Sequence, residues 1–360
     1  MSAGRRLFRI GLLLALLGLA VGVYFYWWLE YPRRPPTGPA VVVDFPFGTP
    51  TAQIFQRLDR EGVVRPAWLA ELYYRVARSA AALQAGEYQF DRPTPLSTVL
   101  DRMERGDVLR HIVVVPEGLT AEETFELFWS RGISRPEAFR NALKNPQLVD
   151  SIAKGAPDLE GFLFPDTYVV TRSTSAHRVV ETMLANFRRH FTPEMRARAQ
   201  ATGLSGRDAV ILASIVQKET SLDREEPLIA GVYWNRLRHR MRLQADPTVA
   251  YALKRDGKWT GTLYRSDYGY ESPFNTYLVD GLPPGPICNP GEGALKAAIA
   301  PAATDYLYFV ADRTGGHTFS RTFEEHLEAI AIARRQRAAA PPPETPPAQA
   351  ERPAAHPSGR

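Results

Sequence analysis

The sequence has a single cysteine, Cys288, among its 360 residues. One thiol cannot form an intramolecular disulfide, and it cannot supply the cysteine cluster of a structural zinc site. The seven histidines show no HExxH spacing. Glycine-rich phosphate loops are also missing, since residues 279–285 (VDGLPPG) have too many prolines to offer a run of backbone N–H groups. Disulfide scaffolds, zinc proteases of this type and phosphate-loop enzymes are therefore not expected.

Charge of one sign does not dominate the chain either. Its 44 Lys and Arg residues against 39 Asp and Glu residues leave a formal net charge of +5. The sequence has no zinc-finger spacing, no basic stripe interleaved with aromatic residues and no recognition-helix pattern, so nucleic acid is not a predicted partner. The small basic excess favours polyanionic surroundings such as lipid headgroups or cell-wall polymer.

Only one long hydrophobic run is present, at residues 10–29. These 20 residues carry no charge and are long enough to cross a bilayer as a helix. Arginines precede the run and a cluster of tyrosine and tryptophan ends it, as in an aromatic interface belt. The alternative is a cleaved signal peptide, but the bulky aromatic end and the missing small-x-small site before Tyr31 argue against it. We therefore predict a single-pass anchor, with the remaining chain outside the cytoplasm.

Composition divides the chain into segments. A Pro-rich linker follows the anchor, and the Pro/Ala-rich C-terminal end has too few large apolar residues to bury a core. The predicted segments are a cytoplasmic N-terminus at 1–9, a transmembrane helix at 10–29, a linker at 30–39, a region with an internal repeat at 40–157, a catalytic domain at 158–336 and a disordered tail at 337–360.

The repeat joins residues 45–69 to residues 115–139 at a constant offset of 70, without gaps. Phe55 matches Phe125, and Leu58 matches Phe128. Each copy follows a β-branched run and predicts a strand, a Pro-x-Gly turn, an amphipathic helix, a Gly stop and a second helix. This unit resembles LysM modules, which bind N-acetylglucosamine-containing glycans. The alternative is a pair of small α+β units that act only as a spacer.

The second half reads as mixed helices and strands, which makes the fold class α+β overall. Residues 159–170 are strand-like around a Phe-Pro turn, and residues 305–312 read as a buried strand. The proline-rich residues 272–291 predict a rigid loop. Helices are predicted at 176–191, from about 206 to 219, and at 225–240, 245–255, 293–301 and 322–336.

The helix ending near Glu219 carries the strongest chemical signal. Leu212, Ile215, Val216 and Glu219 fall on one helical face. Ser214, Gln217 and Lys218 are expected to point away from it. Burial of a carboxyl group raises its pKa, which is the condition for a general acid near neutral pH. The alternative is that Glu219 pairs with an arginine such as Arg236 or Arg242.

Glycosidases ordinarily need a second carboxylate. The residues Asp223, Glu225 and Glu226 lie in a charged run that reads as a solvated helix start. Glu160 and Asp166 are distant candidates near the aromatic turn. Since no second carboxylate stands out, the sequence is compatible with a substrate that supplies its own nucleophile. Lytic transglycosylases work in this way, because the C6 hydroxyl of N-acetylmuramic acid attacks the anomeric carbon of the same sugar.

Six segments together resemble the endolytic murein transglycosylases, the MltG or YceG-like family. Their order and spacing fit across residues 160–320, and the anchor and LysM-like region fit upstream. The matching segments are EGFLFPDTY (160–168), LASIVQKET (212–220), NRLRHRMRLQADPTVAYAL (235–253), SPFNTYLVDGLPPGPICNPG (272–291), AAIAPAATDYLYFVAD (297–312) and GGHTFS (315–320).

The resemblance implies a lyase at the bacterial inner membrane whose catalytic domain faces the periplasm. It would cut the MurNAc–GlcNAc bond within nascent peptidoglycan strands, leave 1,6-anhydroMurNAc ends and need no metal or cofactor. Membrane-bound peptidoglycan synthases are implied partners. The family's Glu-Lys-Glu-Thr segment places the catalytic acid at Glu219, and this sequence departs from it with Gln217 in the first position.

Further motif residues suit hydrogen bonds to acetamido and hydroxyl groups of a glycan. The predicted substrate-binding residues are Arg236, Gln244, Asp246, Thr248, Asn275, Thr276 and Tyr277. Structural alternatives exist: Asp246 as a helix cap, Asn275 as a turn former and Arg236 in a surface ion pair. His317, after a Gly-Gly pair, fits either kind of role.

Two other functions remain open at this stage. A non-catalytic peptidoglycan-binding scaffold would use the LysM-like repeats to recruit synthases. A cytoplasmic metabolic lyase would conflict with the predicted anchor.

Overall fold

The computed structural model describes residues 2–30, 39–78, 81–91, 93–313 and 315–338. The predicted linker and C-terminal tail therefore lie almost entirely outside the described residues. The chain divides into two compact units, the first formed by residues 1–210 and 285–292 and the second by residues 211–284 and 293–360. The segment boundaries predicted from composition stay predictions.

The first unit begins with a long apolar helix, α1 (Ser2–Glu30). Residues 7–28 of α1 have a mean hydropathy of 2.2 and are long enough to cross a membrane. The remaining elements of this unit are β1 (Val41–Phe45), α2 (Thr51–Arg60), α3 (Ala67–Tyr73), β2 (Gly86–Phe90), α4 (Leu96–Arg105), β3 (His111–Val114), α5 (Ala121–Trp129), α6 (Pro136–Leu143), β4 (Thr167–Val170), α7 (Ala176–His190) and α8 (Pro193–Ala201).

The internal repeat folds twice into the same arrangement of two antiparallel strands and two helices. In the first copy β1 pairs with β2, and Val41 lies opposite Phe90. In the second copy β3 pairs with β4, and His111 lies opposite Val170. The matched pair Phe55 and Phe125 is fully buried. The predicted strand–helix–helix unit is thus present in both copies, whereas its assignment as LysM-like stays a prediction.

Residues 159–170 do not form the long strand-like segment that the sequence predicts. Only β4 is extended, because the chain turns at Gly161, which has a φ of +87°. A Cβ at this position would lie 2.4 Å from the Cβ of Pro286, so the turn also brings two backbone segments close together. Phe162 and Phe164 are buried in this compact turn, whereas Tyr168 is buried on β4.

The second unit contains the rest of the secondary structure. Helix α9 (Gly206–Glu219) starts in the first unit and ends in the second. It is followed by α10 (Glu226–Arg238), α11 (Asp246–Arg255), α12 (Glu292–Ile299), β5 (Tyr308–Ala311), β6 (His317–Ser320) and α13 (Phe323–Ala338). The sequence predicts a buried strand at 305–312, but β5 is shorter and partly exposed, since it pairs only with β6 in a two-stranded sheet. The α+β class is confirmed.

A buried carboxyl group, Glu160, stabilises the start of α5. Its Oε1 accepts a hydrogen bond from the backbone N–H of Ala121 at 2.9 Å, and the residue is 7% exposed. Burial raises the pKa of Glu160 to about 8, and the negative charge of Asp158 acts in the same direction. Glu160 thus belongs to the first unit's core and caps a helix there.

The raised pKa of Glu160 makes stability depend on pH. The folded chain keeps this proton up to about pH 8, whereas the unfolded chain loses it near the ordinary value of 4.5. The folded state therefore binds more protons in this range, and stability falls as pH rises through it. We expect Glu160→Gln to lose less of its free energy of unfolding than wild type between about pH 5 and about pH 8, measured by urea unfolding.

The matched control is Glu137→Gln on the exposed face of α6, which should keep the wild-type slope. An equal loss of stability in wild type and in Glu160→Gln would contradict the assignment.

Candidate active site

Glu219 is the last residue of α9, a helix whose middle part is buried on all its faces. All eight residues from Ala209 to Val216 are at most 1% exposed, including Ser214, whose Oγ donates to the carbonyl of Ile211 at 2.7 Å. The expectation that Ser214 points away is therefore wrong, because the middle of this helix is buried on every side, whereas Lys218 is exposed and Gln217 partly exposed as the periodicity predicts. Glu219 owes its environment to its place at the end of a buried helix.

A tyrosine on the neighbouring helix holds the Glu219 carboxyl group. The fully buried Tyr233 on α10 donates its hydroxyl hydrogen bond to Oε1 of Glu219. Burial raises the pKa of Glu219 to about 7, while the hydrogen bond from Tyr233 acts to lower it. Burial also raises the pKa of Tyr233 well above its ordinary value, so the hydroxyl stays protonated and remains a donor.

Glu219 is nevertheless not sealed off. Protein atoms surround the side chain densely enough to disfavour its charge, yet the residue keeps intermediate solvent exposure. Both conditions are needed for a general acid, which must hold a proton near neutral pH and also reach a substrate oxygen.

Asp246 supplies a second carboxylate close to Glu219. The sequence allows Asp246 to cap α11, but the structure places it as the first residue of that helix, with Ala245 at the cap position and no capping side-chain bond. Its carboxylate instead accepts hydrogen bonds from the hydroxyls of Tyr277 at 2.5 Å and Tyr268 at 3.2 Å. The negative charge of Asp246 also raises the pKa of Glu219. The capping alternative is therefore wrong.

Arg236 is buried rather than in a surface ion pair. Its Nε donates to the carbonyl of Leu307 at 2.7 Å and its Nη1 to that of Leu243 at 2.6 Å. The guanidinium also lies over the ring of Tyr308, 5.2 Å from its centre. Its charge lowers the pKa of Glu219, although less than burial raises it. The other arginine considered for Glu219, Arg242, pairs with Asp280 at 3.0 Å.

Three predicted substrate-binding residues form a buried support beneath the loop. Thr248, Asn275 and Thr276 are fully buried. The hydroxyls of Thr248 and Thr276 lie 2.9 Å apart, and Nδ2 of Asn275 donates to the carbonyls of Tyr268 and Tyr270. These bonds fix the loop that carries Tyr268 and Tyr277, so the geometry favours positioning over direct substrate contact.

Gln244 is exposed and has a left-handed backbone, with a φ of +49°. Its N–H donates to the carbonyl of Thr276 at 3.1 Å, which ties the segment to the buried support. A non-glycine residue in this region costs about 1–2 kcal/mol, and glycine would avoid most of this cost. Such strain at an exposed residue two positions before Asp246 is consistent with a functional side chain.

We therefore expect Gln244→Gly to raise the free energy of unfolding by up to about 1 kcal/mol while lowering glycan cleavage. Urea unfolding and product release from glycan strands measure the two effects. Arg240→Gly, at the other left-handed residue of this segment with a φ of +56°, is the matched control and should gain stability without losing activity. If both variants keep full activity, Gln244 has no role in the reaction.

A buried Glu–His pair lies in the same unit. Glu225 Oε2 and His317 Nδ1 are 2.7 Å apart, and Glu225 Oε1 accepts the backbone N–H of His317 at 3.2 Å. Glu225 and Glu226 are both buried, so the predicted solvated helix start is wrong for these two residues, although Asp223 is exposed. The buried pair joins the start of α10 to β6.

Aromatic rings of the second unit connect the Glu225–His317 pair to Tyr233, the partner of Glu219. Phe309 on β5 makes edge-to-face contacts with Tyr233 at 5.9 Å and with the His317 ring at 5.3 Å. The sequence did not predict the hydrogen bonds that Tyr233, Tyr268 and Glu225 make at this site. Helix periodicity predicts only that Tyr233 points inward, and the partners of all three residues are distant in the chain. The distant candidates Glu160 and Asp166 lie in the first unit, where Asp166 accepts from Nδ2 of Asn186 at 2.6 Å.

Comparison with known proteins places the chain in a family. The model of the YceG-like family matches residues 43–332. A curated endolytic murein transglycosylase of Bacillus subtilis (strain 168) is 27% identical over 314 residues, which are 83% of this chain and 86% of the relative. The protein of the same name from Streptococcus pneumoniae serotype 2 (strain D39) is also 27% identical, over 81% of this chain and 58% of its own length.

A solved structure of a YceG-like protein has a similar fold. The crystal structure of a YceG-like protein from Listeria monocytogenes superposes with a TM-score of 0.53 at 29% identity, covering 81% of this chain and 99% of that one. The family match extends over both compact units and confirms the resemblance that the sequence motifs indicate. The chain belongs to the YceG-like family.

Proposed function

We propose that this chain is an endolytic murein transglycosylase that cuts the MurNAc–GlcNAc bond within peptidoglycan strands, with Glu219 as the acid. The predicted enzyme class is confirmed at the level of the family, since the curated relatives carry the name endolytic murein transglycosylase. The observation that carries the proposal is Glu219, a partly exposed carboxyl group with a pKa of about 7.

The mechanism uses one carboxyl group twice. Glu219 gives its proton to the glycosidic oxygen, and the bond between this oxygen and the anomeric carbon of N-acetylmuramic acid breaks. The C6 hydroxyl oxygen of the same sugar bonds to the anomeric carbon, and its proton passes to the Glu219 carboxylate. The products are a 1,6-anhydro end and a free hydroxyl, and no water is consumed. A pKa near 7 suits a group that must act as acid and then as base.

In this mechanism we assign Asp246 the role of stabilising positive charge on the sugar ring. Its carboxylate accepts hydrogen bonds from the hydroxyls of Tyr277 and Tyr268, and its charge is near enough to raise the pKa of Glu219. A carboxylate in this place stabilises the positive charge that develops on the sugar ring as the bond breaks.

The same carboxylate favours a second candidate function, a muramidase that hydrolyses the bond. Two carboxyl groups at one site are the usual equipment of a glycosidase, in which the second activates water or acts as a nucleophile. Asp246 is the observation behind this alternative. The two functions differ in whether oxygen from water enters the product.

Digestion in water labelled with oxygen-18 tests the proposal. The purified full chain in detergent is incubated with uncrosslinked glycan strands, and the new ends are analysed by mass spectrometry. We expect 1,6-anhydro ends without the label. Labelled reducing ends would establish the muramidase instead, and binding without new ends would leave only a peptidoglycan-binding scaffold.

We also propose that α1 anchors the enzyme in the bacterial cell membrane, with both compact units on the outer side. Support comes from its apolar span at residues 7–28 and from the arginines Arg5, Arg6 and Arg9, which favour a cytoplasmic N-terminus. An anchored endolytic enzyme would meet new strands where membrane-bound synthases release them.

A further inference from the structure

The outer end of α1 packs against α3. The ring of Phe25 lies 6.5 Å from that of Trp68 in an edge-to-face contact, and the ring of Tyr26 lies 6.2 Å from that of Tyr73. At the end of α1, the Glu30 carboxylate accepts the N–H of Ser97 at 3.0 Å and its hydroxyl at 2.5 Å. Helix α3 is thus held beside the last turns of the apolar span.

The outward face of α3 is apolar. Trp68, Leu72 and Val76 are 60%, 50% and 80% exposed, and their spacing of four residues places them on one face, the last of them in the π-helical turn Tyr74–Arg78 that continues α3. We name these three residues the α3 stripe. Leu69 and Ala70, on the other side of the helix, are buried in the core of the first repeat copy. An exposed apolar stripe of this kind needs a partner that excludes water.

We propose that the α3 stripe inserts into the lipid headgroup region of the bilayer that α1 spans. Tyr24, Tyr26, Trp27 and Trp28 end the span, and such aromatic residues lie at the depth of the headgroups. Because α3 contacts α1 at Phe25 and Tyr26, it is held at the same depth.

The stripe has the chemistry of an interfacial helix. Its tryptophan is the residue type most suited to the boundary between lipid and water, and a helix with one apolar face lies in the plane of the membrane. Two arginines near the stripe, Arg65 and Arg75, have side chains that are 68% and 66% exposed, although each also pairs with a carboxylate, Asp59 at 3.9 Å and Glu71 at 2.6 Å.

The bilayer is favoured over a protein partner because the stripe lies directly beside the end of the membrane span, where Trp68 contacts Phe25. The inference rests on α1 staying attached, and the bonds from Glu30 to Ser97 support this, since they join the end of α1 to α4 in the folded chain. It does not depend on the chemistry at Glu219. The expected effect of the stripe is to fix how the first repeat copy meets the membrane surface.

A fluorescent label at a stripe residue tests the proposal. Val76→Cys and Val114→Cys are made in a Cys288→Ala background, and each full chain carries an environment-sensitive dye on its new thiol. Val114 on β3 is a matched control, an exposed valine outside the stripe. The chains are reconstituted into vesicles of phosphatidylethanolamine and phosphatidylglycerol that contain nitroxide-headgroup lipid. We expect quenching at position 76 to exceed that at position 114 by at least about twofold.

A second variant removes the effect of the dye's own affinity for lipid. Leu72→Glu, added to the labelled Val76→Cys chain, should lower the quenching to the level of position 114 without changing the melting temperature in detergent. Equal quenching at the two positions, or quenching that Leu72→Glu leaves unchanged, would overturn the proposal. So would labelled chains that fail to float with the vesicles, because the span itself would then be absent or unused.

Discussion

Replacing Glu219 with glutamine is expected to slow glycan cleavage by about 10³-fold, the usual contribution of a positioned general acid. Glutamine has nearly the same volume and can still accept the hydrogen bond from Tyr233 through its amide oxygen. It has no proton to give to the glycosidic oxygen. The variant should therefore bind glycan strands and fold like wild type, while new 1,6-anhydro ends almost disappear from the product analysis.

The control for this prediction is the same substitution at a solvent-exposed residue of the same unit, Glu271→Gln, which should cleave at the wild-type rate. Thermal unfolding of both variants separates lost chemistry from lost structure. If Glu219→Gln retains a tenth or more of the wild-type rate, on the order of what simple positioning effects would leave, Glu219 is not the acid.

Tyr233→Phe is expected to move the descending alkaline limb of the pH–rate profile upward. The Tyr233 hydroxyl donates to the Glu219 carboxyl group and favours its ionised form. Its removal takes away the larger of the two effects that lower the pKa of Glu219 and leaves only the charge of Arg236 to oppose burial and Asp246. A hydrogen bond to a charged group contributes about 1.5–3 kcal/mol, which corresponds to a shift of about one to two pH units. The form that can give a proton should persist to higher pH, and the carboxylate that must accept one should become scarcer near neutral pH.

The phenylalanine ring can keep the edge-to-face contact with Phe309, so packing around the site should change little. The control is Tyr264→Phe at an exposed tyrosine of the same unit, which should leave the profile in place. A Tyr233→Phe variant with lower activity at every pH but an unmoved limb would show that Tyr233 serves only the fold.

The sequence was most informative where local patterns decide the structure. The offset of 70 residues predicted two copies of one unit, and both form with the same pairing and the same buried phenylalanines, Phe55 and Phe125. Helix limits such as Ala176–His190 also followed from periodicity and capping residues. In such segments hydrophobic spacing and turn residues agree with the tertiary fold.

The candidate site was less predictable, because its groups meet across long separations in the chain. Periodicity singled out Glu219 through an apolar stripe, but residues 209–216 of the helix are buried on every face. Asp246 precedes a proline and is typical of a helix cap, yet its carboxylate accepts hydrogen bonds from two tyrosines more than 20 residues away. Glu225 lies in a charged run that is typical of a solvated helix start, but the fold places His317, 92 positions later, beside it. Patterns of neighbouring residues cannot predict these contacts, because the partners are far apart in the chain.

The middle of α9, which is buried on every side, tolerates few substitutions. Ala209 and Ala213 are packed at 0% exposure, so larger side chains would clash and smaller ones would leave cavities. A misplacement of about 1 Å at a reacting group already costs on the order of 100-fold in rate. Differences in glycan preference among members of the family should therefore accumulate on the exposed segment around Gln244 and around Tyr268 and Tyr277, while α9, which carries Glu219, should change slowly.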